Sequence, residues 1–304
     1  MFVGHALLAF AIAASVARRL SVPRQRTLRY GVLAGLFAAV PDIDVVYAPV
    51  GLLLRSVDSV GPDVFWEAAN VIHRGPTHSL VMAGTLAVGA VFWTRQRRSE
   101  RALSVALGAL LVAVATASSG AVGGAVVLVF VLAGFGVATA AARRGTATKP
   151  LLAAAVVGLL SHPFGDLFTG SPPPLLYPFD VTLVAERIVL HPDPTGHLLA
   201  AFALELGTVW LALWTYARVS ELRLSAFVTR RATLGAGYAA AALLLPAPTL
   251  DHSAHFVVSV LAVGFVGAPT QPFARDIDWR EVVVTGLSAV TIGAVAYALM
   301  YVVL

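Results

Sequence analysis

The fold class this sequence predicts is all-α: a polytopic membrane bundle of about eight to ten spans with a polar pocket at its extracytoplasmic end. Three observations predict it. Of 304 residues, 58% are hydrophobic and only 12% are charged, and the mean hydropathy is +0.83, a composition outside the range of soluble domains. The apolar residues fall into successive stretches close to the roughly 20 residues that a span requires. The basic residues collect in short clusters between those stretches, where membrane topology accounts for them. The net charge of +5 is therefore read as topology. No nucleic-acid partner is expected; the partner is the lipid bilayer.

In chain order the candidate segments lie near 2–17, 28–41, 77–94, 102–118, 121–142, 150–168, 195–217, 232–247, 252–268 and 282–304. The first has no basic region ahead of it, and Arg18 and Arg19 follow it, so it reads as a retained membrane segment rather than a cleaved signal. The second is short and ends at Pro41. Segments 102–118 and 121–142 form a hairpin of Ala, Val, Leu and Gly joined by Ser118-Ser119-Gly120, and they read as packing material. Segment 195–217 carries Glu205, an acidic residue placed inside a span, which deepens a polar cavity or bonds within the bundle. Residues 45–72 and 169–194, rich in Pro and Gly, read as caps or interfacial segments.

Alternating these segments from an extracytoplasmic amino terminus puts 18 of the 21 basic residues on the cytoplasmic side; Arg55, Arg74 and Arg187 are the exceptions. The same alternation places all eight histidines on the opposite face. The expected location is the cell membrane, with the amino terminus and the site outside. Residues 1–170 form the site-bearing region and residues 171–304 the accessory helices of one integrated membrane domain.

The polar residues at that face determine the chemistry. Cysteine is absent, so a metal would be held by His, Asp or Glu alone. His162 and Asp166 stand four apart, a spacing that puts both on one helical face despite Pro163. Asp42 and Asp44 flank Ile43 after Pro41, and either cap a helix end or turn inward as ligands, Asp42 more firmly. The stretch His73-Arg74-Gly75-Pro76-Thr77-His78-Ser79 brings two imidazoles, a guanidinium and two hydroxyls between apolar runs. Such groups are costly beside lipid unless they bind something. Thr77 or Ser79 suits the cap of the next helix. The fork of Arg74 suits an anionic substrate group. His5 joins the set by position. His191 and His197, like Thr77, Ser79 and Glu205, are candidates for supporting or substrate contacts.

An amino-terminal His, Pro-Asp-Ile-Asp, His-Arg-Gly-Pro-Thr-His-Ser and His-x-x-x-Asp, in this order, resemble the predicted membrane-bound metal-dependent hydrolases, the LexA-binding, inner-membrane-associated, YdjM-like family. The likeness covers about residues 1–170, and its most specific part is the His-Arg-Gly-x-Thr-His-Ser element. Pro163 and Gly165 depart from the apolar residues usual there. The resemblance implies a multi-pass enzyme whose divalent metal is carried by His5, Asp42, His73, His78, His162 and Asp166, with Asp44 as a further ligand. A fainter likeness to zinc-dependent phospholipase C points toward phosphoesters and lipids.

The expected activity is hydrolysis of an ester or phosphoester, of a small molecule or a lipid, by water activated on one or two ions of zinc, manganese or another divalent metal. Asp44 would serve as base and Arg74 would steady the substrate anion. The alternative is a transporter or metal-binding membrane protein using the same residues without hydrolysis. A transport path needs polar residues across the bilayer, and here they gather at one end.

Overall fold

The structure is a computed structural model and describes residues 2–47, 74–269 and 277–304. Its regular structure is helical throughout the described residues. The chain divides into two compact units, one comprising Met1–Ile188 and Thr208–Val219, the other Val189–Gly207 and Ser220–Leu304.

In the first unit, α1 (Phe2–Arg19) and α2 (Arg24–Ala38) form an antiparallel pair. The chain then tightens into a 3-10 helix over Pro41–Tyr47. A second 3-10 turn, Pro76–His78, leads into α3 (Leu80–Trp93). Ser79 caps α3: its hydroxyl accepts from the Val81 and Met82 N–H groups at 3.1 and 3.4 Å and satisfies donors that a helix start leaves open.

The stretch Arg98–Arg143, α4, is the expected hairpin of two arms. Gly120, at φ 72°, is the break between them, a left-handed conformation that glycine adopts without a Cβ penalty. Across the hairpin, Gly108 lies against Val131 and Phe135. The Trp93 ring stacks on Phe135 with centroids 5.0 Å apart, and its N–H donates to Thr139 Oγ1. Next comes α5 (Thr148–Gly165), continued by a 3-10 turn over Asp166–Phe168.

Between lipid-facing helices, side-chain burial gains van der Waals contact rather than release from water, so close approach is what holds the bundle. The buried core accordingly mixes Phe37, Leu86, Phe130 and Leu159 with many alanines, among them Ala34, Ala38, Ala83, Ala87, Ala154 and Ala155. At the crossing of α2 and α5, a Cβ on Gly158 would lie 2.6 Å from Phe37 Cβ. Only a residue without a side chain lets these two helices meet there.

In the second unit, Val189–Gly207 supplies the first half of α6 (Pro194–Ser220). The expected segment at 232–247 is mostly a 3-10 helix, Arg230–Ala240, followed by one α-helical turn, Ala241–Leu244. The segment at 252–268 is α7 (Ala254–Ala262) running into a 3-10 helix over Val263–Gly267. Both lie along α8 (Trp279–Val303). Gly235 sits directly on the Ala289 carbonyl, and Phe256, Tyr238 and Tyr297 form an aromatic cluster.

Among the described residues, four helical stretches are long and apolar enough to cross a membrane: the two-armed Arg98–Arg143, Thr148–Phe168, Pro194–Ser220 and Trp279–Val303. Leu80–Trp93 and Ala254–Gly267 are shorter apolar helices.

Candidate metal centre

Alternation of direction brings four chain ends of the first unit together: the start of α1, the end of α2, the start of α3 and the end of α5. His5, Asp42, Asp44, Arg74, Thr77, His78, His162 and Asp166 meet there. Arg18 and Arg19 at the end of α1 and Arg24, Arg26 and Arg29 at the start of α2 lie at the other end, where Arg29 Nη1 donates to the Arg144 carbonyl at 2.9 Å.

His162 and Asp166 share a helical face, as their spacing predicts, with Nε2 and Oδ2 3.6 Å apart. Pro163 does not break the face, because it sits in the last turn of α5, which continues to Gly165. Gly165 has its own reason. The imidazole of His5 lies on its Cα, and a Cβ there would fall 2.6 Å from His5 Nδ1. That contact delivers His5 Nε2 to 3.3 Å from Asp166 Oδ1 and sets the His5 ring, tilted by 41°, with its centroid 4.1 Å from that of His162.

Asp42 and Asp44 bracket His78. The Pro41–Tyr47 turn sends Asp42 Oδ1 to 3.7 Å from His78 Nε2 and Asp44 Oδ2 to 3.4 Å from Nδ1 of the same ring. The Thr77 hydroxyl completes this arrangement. It donates to Asp44 Oδ2 at 3.0 Å, so it accepts from His78 Nδ1 at 2.9 Å. In the neutral ring, that leaves the Nε2 lone pair facing Asp42 and Asp166 Oδ2, the latter at 3.3 Å.

The tautomer of His162 is set in the same way. Its Nδ1 lies 2.6 Å from the Ala38 carbonyl, which can only accept. The proton is therefore on Nδ1, and Nε2 presents a lone pair 3.4 Å from Asp42 Oδ1. His162 Nε2 and Asp166 Oδ2 are buried and have no hydrogen-bond partner. A lone pair facing carboxylate oxygens in a dry site is a costly arrangement unless a cation stands between them. Imidazoles held by hydrogen bonds at their far nitrogens are the usual outer support of metal ligands.

The donor set fits a divalent metal. His5, His162 and Asp166 form one group of potential ligands, and Asp42, His78 and His162 form another; within each, the ligand atoms lie within 4.8 Å of one another. Nitrogen and oxygen donors without sulfur suit zinc or manganese.

Arg74 is placed differently from the expectation. Its backbone is left-handed, φ 66°, and its N–H points at Asp44 Oδ2, 3.3 Å away. The guanidinium reaches Asp166 Oδ1 at 3.3 Å, Thr169 Oγ1 at 2.9 Å and the Ser171 carbonyl at 3.2 Å. Gly170, at φ 70°, lets the turn fold against it, since a Cβ there would meet Nη1 at 2.5 Å. These contacts clamp Asp166 in place; sequence reasoning offered no sign of them, because they join residues nearly a hundred positions apart.

Ser79 is buried beside this cluster and donates to the Tyr177 carbonyl at 2.6 Å. His191 and His197 belong to the second unit. Their Nδ1 atoms accept from the Asp193 and Leu190 N–H groups at 3.1 and 3.0 Å. Half-buried Glu205 is on α6 in that unit. His73 lies outside the described residues.

The model of the family described as YdjM inner membrane protein matches residues 1–247, beyond the motifs that first suggested it. The chain belongs to the YdjM inner membrane protein family. That description names a membrane protein and no activity. No curated protein and no solved structure matches the chain. The family and the apolar helices together make this a multi-pass membrane protein, with a buried His/Asp cluster able to hold a metal.

Proposed function

We propose that this YdjM-family protein is a divalent-metal-dependent hydrolase of an ester or phosphoester, working at the extracytoplasmic face of the cell membrane. The observation that supports it most is the pair His162 Nε2 and Asp166 Oδ2, buried, aimed at a common point and without hydrogen bonds. His5, Asp42, His78, His162 and Asp166 would hold one or two ions, with His73 a further candidate. When bound, the metal supplies water acidified toward neutrality and positive charge for a developing oxyanion.

The chain's own residues supply the rest. Asp44, through Thr77, holds His78 in the tautomer that presents Nε2. This makes Asp44, which is closed off, a positioning group, while the side chain of Asp42 keeps 12% of its surface open. Arg74 positions Asp166, and its charge offsets the carboxylates gathered there. Substrate reaches the cluster from the Asp42 and Arg74 side, the part that remains accessible. The orientation rests on the basic residues at the other end of the bundle.

The test is hydrolysis of bis(p-nitrophenyl) phosphate and p-nitrophenyl acetate by detergent-purified protein supplied with zinc or manganese. Turnover that is abolished by chelation and by Asp42→Asn supports the reading. A protein that carries metal and cleaves neither these esters nor membrane phospholipids contradicts it.

A further inference from the structure

The segment from Pro178 to Ile188 has no regular structure, yet it is not loosely attached. At one end, the Ser79 hydroxyl donates to the Tyr177 carbonyl, and the Leu80 N–H donates to the Leu175 carbonyl at 2.9 Å. At the other end, the Ile188 N–H donates to the Leu167 carbonyl at 2.8 Å. Ser79 follows His78, and Leu167 follows Asp166. The segment is thus a strap fastened at both ends within one residue of a candidate ligand.

Its exposed side chains are the wrong kind for water. Phe179 is 63% exposed, Leu183 58% and Val181 52%, and Ile188 is also exposed. Asp180, Thr182, Glu186 and Arg187 are interspersed with them. Exposure of apolar side chains along the spans is explained by hydrocarbon, but this strap lies outside the spans. Nor does it suit the hydrocarbon core, because its irregular backbone has N–H and C=O groups that need water or headgroups. Apolar side chains on a polar backbone suit the headgroup boundary, where one side meets acyl chains and the other is wet. The strap is tied to the end of a candidate span: Leu167, whose carbonyl holds Ile188, lies in the last turn of Thr148–Phe168, and Phe164 in that span is 49% exposed.

We infer that the 178–188 strap is embedded in the headgroup layer, and that the site draws its substrate, a lipid ester or phosphoester, from that leaflet. The substrate part rests on the hydrolase reading above; the placement of the strap does not. Fastened beside His78 and Asp166, the strap holds the mouth of the cluster at the depth of lipid ester and phosphate groups.

The chain has no cysteine, so single-cysteine spin labels can be placed cleanly at 179, 180, 181, 183, 186 and 188 in the full chain. The probes are molecular oxygen and nickel-EDDA, in vesicles of phosphatidylethanolamine and phosphatidylglycerol. Positions 179, 181, 183 and 188 are expected to favour oxygen, and 180 and 186 nickel. Nickel accessibility at all six overturns the placement.

Release of lipid headgroup from the same vesicles is then compared with cleavage of bis(p-nitrophenyl) phosphate, using Phe179→Asp/Leu183→Asp. Loss of vesicle activity by about tenfold or more, with the soluble ester unaffected, is expected from removing two inserted side chains. Cleavage of the soluble ester with no cleavage of lipid overturns the substrate assignment and leaves the hydrolase reading standing. Cleavage of neither overturns both, and the label pattern still decides the strap.

Discussion

His162 and Asp166 face each other across one turn of α5, Nε2 to Oδ2 3.6 Å apart, and neither atom has a hydrogen bond. A helix end that buries two such groups has a reason for holding them open. Ala38 fixes the proton of His162 on the far nitrogen, and Arg74 with His5 occupies the other carboxylate oxygen of Asp166. What remains is a pair of electron-rich atoms converging with those of Asp42 and His78.

Gly165→Ala tests whether His5 belongs to the site. Alanine ordinarily improves a helix over glycine by about 1 kcal/mol. Here the added Cβ displaces the His5 ring. The variant is expected to melt at or near the native temperature while losing metal affinity, and His5→Ala in the same chain should add no further loss. A full metal complement in Gly165→Ala would remove His5 from the ligand set.

Thr77→Val tests the relay from Asp44 to His78. Valine keeps the shape and deletes both hydrogen bonds of the hydroxyl. Metal affinity is expected to fall by about tenfold to a hundredfold, the range for lost outer support of a ligand, and Thr77→Ser should restore most of it. Titration with a fluorescent zinc competitor measures both; equal affinity in Thr77→Val would show that the relay does not set the ring.

Arg74→Lys separates charge from geometry. A lysine keeps the positive charge but cannot span Asp166, Thr169 and Ser171 together. The expected cost is about 1.5–3 kcal/mol in stability, the worth of hydrogen bonds to a charged group, read as a lower melting temperature. Unchanged melting and metal content would mean that the clamp is dispensable.

His78 lies in the turn ahead of α3, and its titration makes the metal-free and metal-bound proteins respond oppositely to pH. Burial lowers the pKa of its imidazole, but Asp166, Asp42 and Asp44 outweigh that and raise it to about 9. Because the folded pKa of His78 lies above the ordinary 6.5, its protonated form stabilises the metal-free protein fully below that value. This contribution is lost as pH rises through about 9. Metal must displace the same proton, so affinity climbs across that interval. Melting temperature in chelator should fall over this range while metal affinity rises; parallel trends would contradict the assignment.

The membrane class, the α4 hairpin and the convergence of His5, Asp42, His78, His162 and Asp166 were legible in the sequence. Each depends on local periodicity, a turn residue or alternation of direction along the chain. The 3-10 stretches at Arg230–Ala240 and Val263–Gly267 were not, since apolar composition marks a segment without setting its pitch. The roles of Gly165, Arg74 and Asp44 were hidden for another reason. Gly165 meets a ring on α1, Arg74 bonds a turn after α5, and Asp44 accepts from Thr77 beside His78. Such partners are far apart in the chain and leave no spacing to read.

The central claim is that these side chains hold a metal, and elemental analysis of detergent-purified protein tests it most directly. The native chain, His162→Ala and Asp166→Asn are compared after supplementation with zinc or manganese and removal of loosely bound ions. About one or two divalent ions per native chain, lost in both variants, is the predicted result. A folded native protein that retains no divalent metal, or variants that retain as much as the native chain, would contradict the account.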